Sequence, residues 1–278
     1  MSAAPVVLPG APPRQTGRLL GVSHLVLATR DLDAAERFLC GVGHATYGAF
    51  QAPNPLPKAG FVAGPLAPNF SMKLIVSRSG TPGIELLRED DADAYDPLGT
   101  PPFEALLASD GALTSVEVLE TLARHDNVPF VGFRQVGKPS RTMGVAALVV
   151  HSPALETTLP LWRALGYEPR LLNQTLAHVT VRGATPSGHL ELFIVADRPR
   201  PTTGYLNQAG TVCLSLFCHD ADDLSARLSA AGYVSQGCFT ITPFTRTLRI
   251  CFVRNTSGEV YEFLSLLGRE RSRDARHA

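Results

Sequence analysis

Residues 21–39 read GVSHLVLATRDLDAAERFL. An apolar, strand-like run is interrupted by a single histidine, His24, and is followed at once by an acidic turn and a helix-like run. The same order recurs twice. GVAALVVHSPALETTLPLWRALGY from Gly144 and GTVCLSLFCHDADDLSARLSAAGY from Gly210 each spell a short strand, a polar turn, an amphipathic helix and a glycine stop. Asp31, Ser152 and Asp220 are of the types whose side-chain oxygens cap helix N-termini. Gly43, Gly166 and Gly232 suit the left-handed residue that ends a helix.

Downstream of each helix the period changes to that of strands, and each unit closes on a strand that carries a glutamate: PGIELLRE, GHLELFIV and GEVYEFLSLL. The unit is therefore β-α-β-β-β. Its middle strands fall near TYGAFQA and SMKLIVSR in the first copy, EPRLLNQ and LAHVTVRG in the second, and CFTITPF and TLRICFVRN in the third. Between copies one and two, residues 91–142 hold two helix-like pieces, PFEALLAS and SVEVLETLARHD, and a strand-like PFVGFRQV. That stretch is read either as a shortened fourth unit that has lost its early strand and closing glutamate, or as a connecting insertion.

With 278 residues, 45% of them hydrophobic, the chain has ample apolar material for a packed core. Lys and Arg together number 25, as do Asp and Glu, and the basic residues are scattered, so neither nucleic acid nor an anionic membrane is the expected partner. No segment reaches the ~18 consecutive apolar residues of a membrane span. The five cysteines are odd in number and form no CxxC pair, which fits free thiols in a reducing cytoplasm. Residues 1–17 read as a flexible Pro-rich arm and 268–278 as a charged, frayed tail. High usage of Ala, Arg, Leu and Pro hints at a GC-rich bacterial source and, by association, at secondary metabolism.

Three segments, HLVLATRDLDAAERFL, LWRALGYEP and NTSGEVYEFLSL, together resemble the vicinal oxygen chelate superfamily, which holds glyoxalase I, bleomycin-resistance proteins, methylmalonyl-CoA epimerase and extradiol dioxygenases. The likeness covers roughly residues 18–90 and 142–267. It implies an α+β fold in which paired βαβββ modules curve into half-open mixed β cups, with ligands on the concave face. Residues 18–142 are then an N-terminal module with its degenerate companion or insertion, and 143–267 a C-terminal pair of modules. In metal-bearing relatives the ion is held by an inward first-strand residue, usually His, and by the closing-strand Glu of each unit.

Carried over residue by residue, the resemblance implies His24 and Glu85 in unit one, Ala147 and Glu191 in unit two, and Cys213 and Glu262 in unit three. The expected metal ligands are His24, Glu85 and Glu262; the expected catalytic set is Glu262, Glu191 and Cys213. Pairing of units two and three would give a cup with Glu191, Cys213 and Glu262 but no first-strand histidine, a departure from the 2-His-1-carboxylate set of non-haem iron(II). The half-site His24–Glu85 would be completed by the shortened unit, by the third unit, or by a second copy of the chain in a homodimer. His151 and His219 fall near turns, where capping or solvation is the ordinary role.

Two functions follow from the resemblance. In the first, a divalent ion (Fe, Mn, Ni or Zn) polarises an oxygen of a small, bulky organic substrate while a carboxylate moves a proton. In the second the cup is metal-free, its room increased by Ala147 and Cys213, and it guides a rearrangement or sequesters an aromatic compound. Phe50, Phe193, Phe239, Phe244 and Tyr261 are candidates to line it.

Overall fold

The computed structural model describes residues 19–77, 82–90, 101–109, 113, 115–123, 132–136, 142–182, 189–197 and 204–267. The expected arm at 1–17 and tail at 268–278 lie outside them. Unit one comprises β1 (Leu19–Ala28), α1 (Leu32–Gly41), β2 (His44–Pro53), β3 (Asn69–Ser77) and β4 (Gly83–Glu89), with a 3₁₀ helix at Leu56–Phe61 between β2 and β3. A degenerate unit follows, consisting of β5 (Phe103–Ala108), α2 (Ser115–Ala123) and β6 (Phe133–Gln135). Unit two is β7 (Gly144–Ser152), α3 (Leu155–Ala164), β8 (Arg170–Leu171), β9 (Leu176–Arg182) and β10 (His189–Ala196). Unit three is β11 (Gly210–Cys218), α4 (Ala221–Ala230), β12 (Val234–Ile241), β13 (Leu248–Arg254) and β14 (Val260–Leu266).

The local signals act as their chemistry requires. Asp31 accepts from the Ala34 N–H at 2.8 Å and Asp220 from the Asp223 N–H at 3.0 Å, capping α1 and α4. Gly43, Gly166 and Gly232 all adopt positive φ just past their helices. Ser152 differs from expectation. The N-cap of α3 is Ala154, with no side-chain cap, and the Ser152 hydroxyl instead bonds the Ala154 carbonyl at 2.8 Å and Thr158 Oγ1 at 2.7 Å.

PFEALLAS forms strand β5, not a helix. Its apolar residues mimic a helical spacing, but every residue of β5 is buried, with Phe103, Ala105 and Leu107 in the main core and Leu106 in a separate cluster. The degenerate unit thus keeps its early strand, contrary to expectation.

Strand pairing decides where the sites can be. One eight-stranded sheet runs β12-β13-β14-β11-β1-β4-β3-β2, and one six-stranded sheet runs β6-β5-β7-β10-β9-β8. Unit one therefore joins unit three through the antiparallel β1–β11 ladder, and unit two joins the degenerate unit through β5–β7. The pairing of units two and three into a C-terminal cup is corrected by this topology.

The main core draws Leu25 and Leu27 of β1, Leu148 of β7, Trp162 of α3, Leu224 of α4 and Tyr261 of β14 into one cluster, so both sheets and three helices share it. Each such side chain contributes roughly 1.5–3 kcal/mol by leaving water.

Candidate active site

Strand alternation splits β1 between two environments. Leu25 and Leu27 enter the main core, while His24, Val26 and Ala28 face the concave side of the eight-stranded sheet. On that side lies a cavity of about 560 Å³. Its wall is largely apolar, with Phe70, Met72, Phe239, Ile250, Phe252 and Leu264 among its members. His24, Glu85 and Glu262 supply a polar group in this wall. A cavity of this size suits a drug-sized organic molecule.

His24 Nε2 lies 3.2 Å from Glu85 Oε2 and 3.3 Å from Glu262 Oε2. It is buried and aligned with neither carboxylate for a directional hydrogen bond. The other ring nitrogen, Nδ1, is 2.9 Å from the Ser23 hydroxyl, which fixes the ring with Nε2 toward the two carboxylates. Burial alone would lower the imidazole pKa, but Glu262 and Glu85 more than reverse this and push it up to about 10. Burial likewise pushes the Glu262 carboxyl above its usual range, against the pull of His24. The Ser215 hydroxyl donates to Glu262 Oε2.

Three of the expected residues, His24, Glu85 and Glu262, are thus brought together, the last of them from the third unit. Glu191 is not among them. It belongs to the six-stranded sheet, where it pairs with His178 and accepts from Thr180 Oγ1 at 3.3 Å. Its face of that sheet is filled by Val118 of α2, packed with Leu106, Ala147, Val149 and Phe193. Cys213 is also corrected as a catalytic residue. It is fully buried among Val26, Phe252 and Val260, off the cavity wall, and burial followed by the charges of Glu262 and Glu85 pushes its thiol well above its ordinary range.

His151 is neither solvated nor a cap. It is buried, with Nδ1 2.8 Å from Asp197 Oδ2 and Nε2 3.2 Å from Glu104 Oε2, and Arg134 also pairs with Glu104. His219 is exposed, as expected. Of the candidate aromatics, Phe239 and Phe244 line the cavity, whereas Tyr261 is in the main core and Phe193 packs on His178.

Two residues of the site escaped sequence reasoning. Ser215 reads as strand filler, yet it sits opposite both His24 and Glu262 in its ladders. Lys58, in the 3₁₀ helix, is buried on the cavity wall with its Nζ 2.9 Å from Asn54 Oδ1, paired with Glu89, and 4.6 Å from the Phe70 ring centroid. The usable signal was a lone lysine within the apolar run LPKAGFVAG.

The donor set of one imidazole and two carboxylates fits a divalent first-row metal. As described, the three groups form an ion triad. Among the described residues no group of three or more His, Cys, Asp or Glu is placed so that it could hold a metal ion.

The fold is glyoxalase-like. A Bacillus subtilis protein provisionally described as a dioxygenase superposes with a TM-score of 0.56 at 13% identity, over 89% of this chain and 86% of its own. A glyoxalase I variant from Zea mays gives 0.51 at 12%, over 90% and 94%, and a second variant of it 0.50 at 13%, over 90% and 92%. No family model and no curated protein matches the sequence. No helix among the described residues is long and apolar enough to cross a membrane.

Proposed function

We propose that this protein is an enzyme of the vicinal oxygen chelate type that acts on a bulky, largely apolar organic substrate held in the cup of units one and three. The observation that carries the reading is the convergence of Glu85 and Glu262 on Nε2 of His24 in the wall of an apolar cavity. His24, Glu85 and Glu262 would hold a divalent ion, and the ion would supply Lewis-acid polarisation of a substrate oxygen. The substrate's apolar body packs against Phe70, Met72, Phe239 and Phe252, which excludes water from the polar end.

Glu262 is the group to move the proton. It is buried in the cavity wall, where it would take a proton from a carbon beside the polarised oxygen. Returning that proton to a neighbouring atom completes an isomerisation. Ser215 fixes one oxygen of the carboxylate and leaves the proton-transfer geometry to the other.

The test is elemental analysis of protein purified without chelator, followed by titration of the stripped protein with Mn, Fe, Ni and Zn. One divalent ion per chain, lost in His24→Ala, is expected. A chain that neither carries nor takes up such an ion overturns the metal-assisted reading. One observation favours a second reading, a metal-free cup that binds or rearranges aromatic compounds: protonated His24 already compensates the carboxylates that face it. Tight binding of a planar aromatic probe by the metal-free chain, undisturbed by added metal, would favour it.

A further inference from the structure

Cys238 of β12 and Cys251 of β13 are direct partners across the antiparallel ladder of the third unit's hairpin. A bulge puts them there. The register slips by one residue between Ser235 and Cys238, and Gly237 takes φ +84°, a left-handed conformation that glycine adopts without strain. Without the extra residue, Gly237 would stand opposite Cys251. Both side chains point away from the cavity, toward α4, and both thiols donate to the same acceptor, the Ala221 carbonyl, at 3.4 Å from Cys238 and 3.6 Å from Cys251. Cys251 is buried, and Cys238 is half-buried and reachable from solvent.

We propose that Cys238 and Cys251 form a reversible cross-strand disulfide, with Cys238 as the entry point for a low-molecular-weight disulfide such as oxidised glutathione. The Cys238 thiolate attacks one sulfur of the oxidant, forming a mixed disulfide and releasing one thiolate. That thiolate takes the Cys251 proton, and the Cys251 sulfur attacks Cys238, closing the protein disulfide and expelling the second thiolate, which takes the proton released by Cys238. Two protein thiols are oxidised and one small disulfide is reduced to two thiols, so atoms and electrons balance.

The division of labour follows from the surroundings. The neighbouring Cys251 thiol lowers the pKa of Cys238 below its ordinary value, against the opposing effects of burial and Asp222, while Cys238 and burial raise that of Cys251. Directly opposed residues keep their Cβ atoms ~4.5–5.5 Å apart. A disulfide requires about 3.5–4.5 Å, so the strands must close by roughly 1 Å and the product is strained and easily reduced. Neighbours Phe239, Ile250 and Phe252 line the cavity from the same two strands, and Phe244 stands in the turn that joins them. The crosslink therefore pins the part of the cup wall that faces the ligand.

The full chain is incubated with oxidised glutathione at neutral pH, alkylated, and mapped by tryptic mass spectrometry. The expected product links the peptide holding Cys238 to the one holding Cys251, with loss of two hydrogens, and a thiol reductant reverses it. In Cys251→Ser the reaction stops at a glutathione adduct on Cys238, and in Cys238→Ser neither adduct nor crosslink forms in this hairpin. A stable Cys238 adduct in the unsubstituted chain, a crosslink to Cys218, or modification confined to exposed Cys40 each overturns the proposal. The readout is independent of any metal or substrate in the cup.

Discussion

His24 and Ser215 are direct partners across the antiparallel β1–β11 ladder, and the Ser215 hydroxyl donates to Glu262. Ser215 thereby ties the first strand of unit three to its own closing strand at the point where unit one's histidine arrives. Two steps along the same ladder Val26 faces Cys213. The position opposite Val26 thus carries a small, buried residue, and the polar contact lies two residues on, at Ser215.

Replacing Ser215 with Ala removes a hydrogen bond to the buried Glu262 carboxylate and leaves that oxygen only its contact with His24, at a cost of about 1.5–3 kcal/mol. If Glu262 is a metal ligand, losing the group that orients it weakens binding by ~10–100-fold. Competition with a chromogenic chelator measures this directly. An affinity equal to that of the unsubstituted chain would show that Ser215 does not position Glu262.

Glu191 gives the complementary expectation. Because it pairs with His178 in the other sheet, Glu191→Gln should leave metal content and cup binding unchanged while removing one partner of a half-buried pair. A loss of metal in Glu191→Gln as large as that in Glu262→Gln would return Glu191 to the site.

The repeat was legible because each unit carries its own punctuation: Asp31 and Asp220 as caps, Gly43, Gly166 and Gly232 as stops, and a closing glutamate. His24 and Glu85 followed from it, since both lie within one unit. What did not follow was which units pair. The first strands β1, β5, β7 and β11 are all short and nearly fully buried, so their patterns do not distinguish one antiparallel partner from another. That choice decides whether Glu262 meets His24 or Glu191, and it rests on long-range packing. Ser215 and Lys58 were missed for a related reason, because the carboxylates they hold, Glu262 and Glu89, stand 47 and 31 positions away in sequence.

His151 supplies a pH test independent of the cup. Burial lowers its pKa, but Asp197 and Glu104 outweigh that and raise it above the unfolded value of 6.5. A raised folded pKa means that the protonated ring stabilises the native state below pH about 6.5, and that this contribution is lost as pH rises through the folded pKa. In thermal unfolding, the stability difference between the unsubstituted chain and His151→Gln should be largest below pH about 6.5 and shrink at higher pH. A difference that stays constant with pH would assign His151 a packing role only.

The mouth of the cup is controlled by a contact between units. Phe244, in the β12–β13 turn, has φ +60°, a conformation that costs a bulky residue about 1–3 kcal/mol. It is held there by an edge-to-face contact with Tyr47, with ring centroids 5.4 Å apart, and by the absence of a side chain at Gly48. A Cβ at Gly48 would stand 2.5 Å from Phe244 Cε1, so Gly48→Ala must displace the ring. Both aromatics are exposed and both line the cavity, so displacing Phe244 widens the entrance without touching His24, Glu85 or Glu262. Stopped-flow fluorescence with an apolar anilinonaphthalene probe should show association several-fold faster in Gly48→Ala than in the unsubstituted chain, with metal content unchanged. Equal association rates would mean that ligands enter elsewhere and that the strain at Phe244 serves only to join β2 to the hairpin.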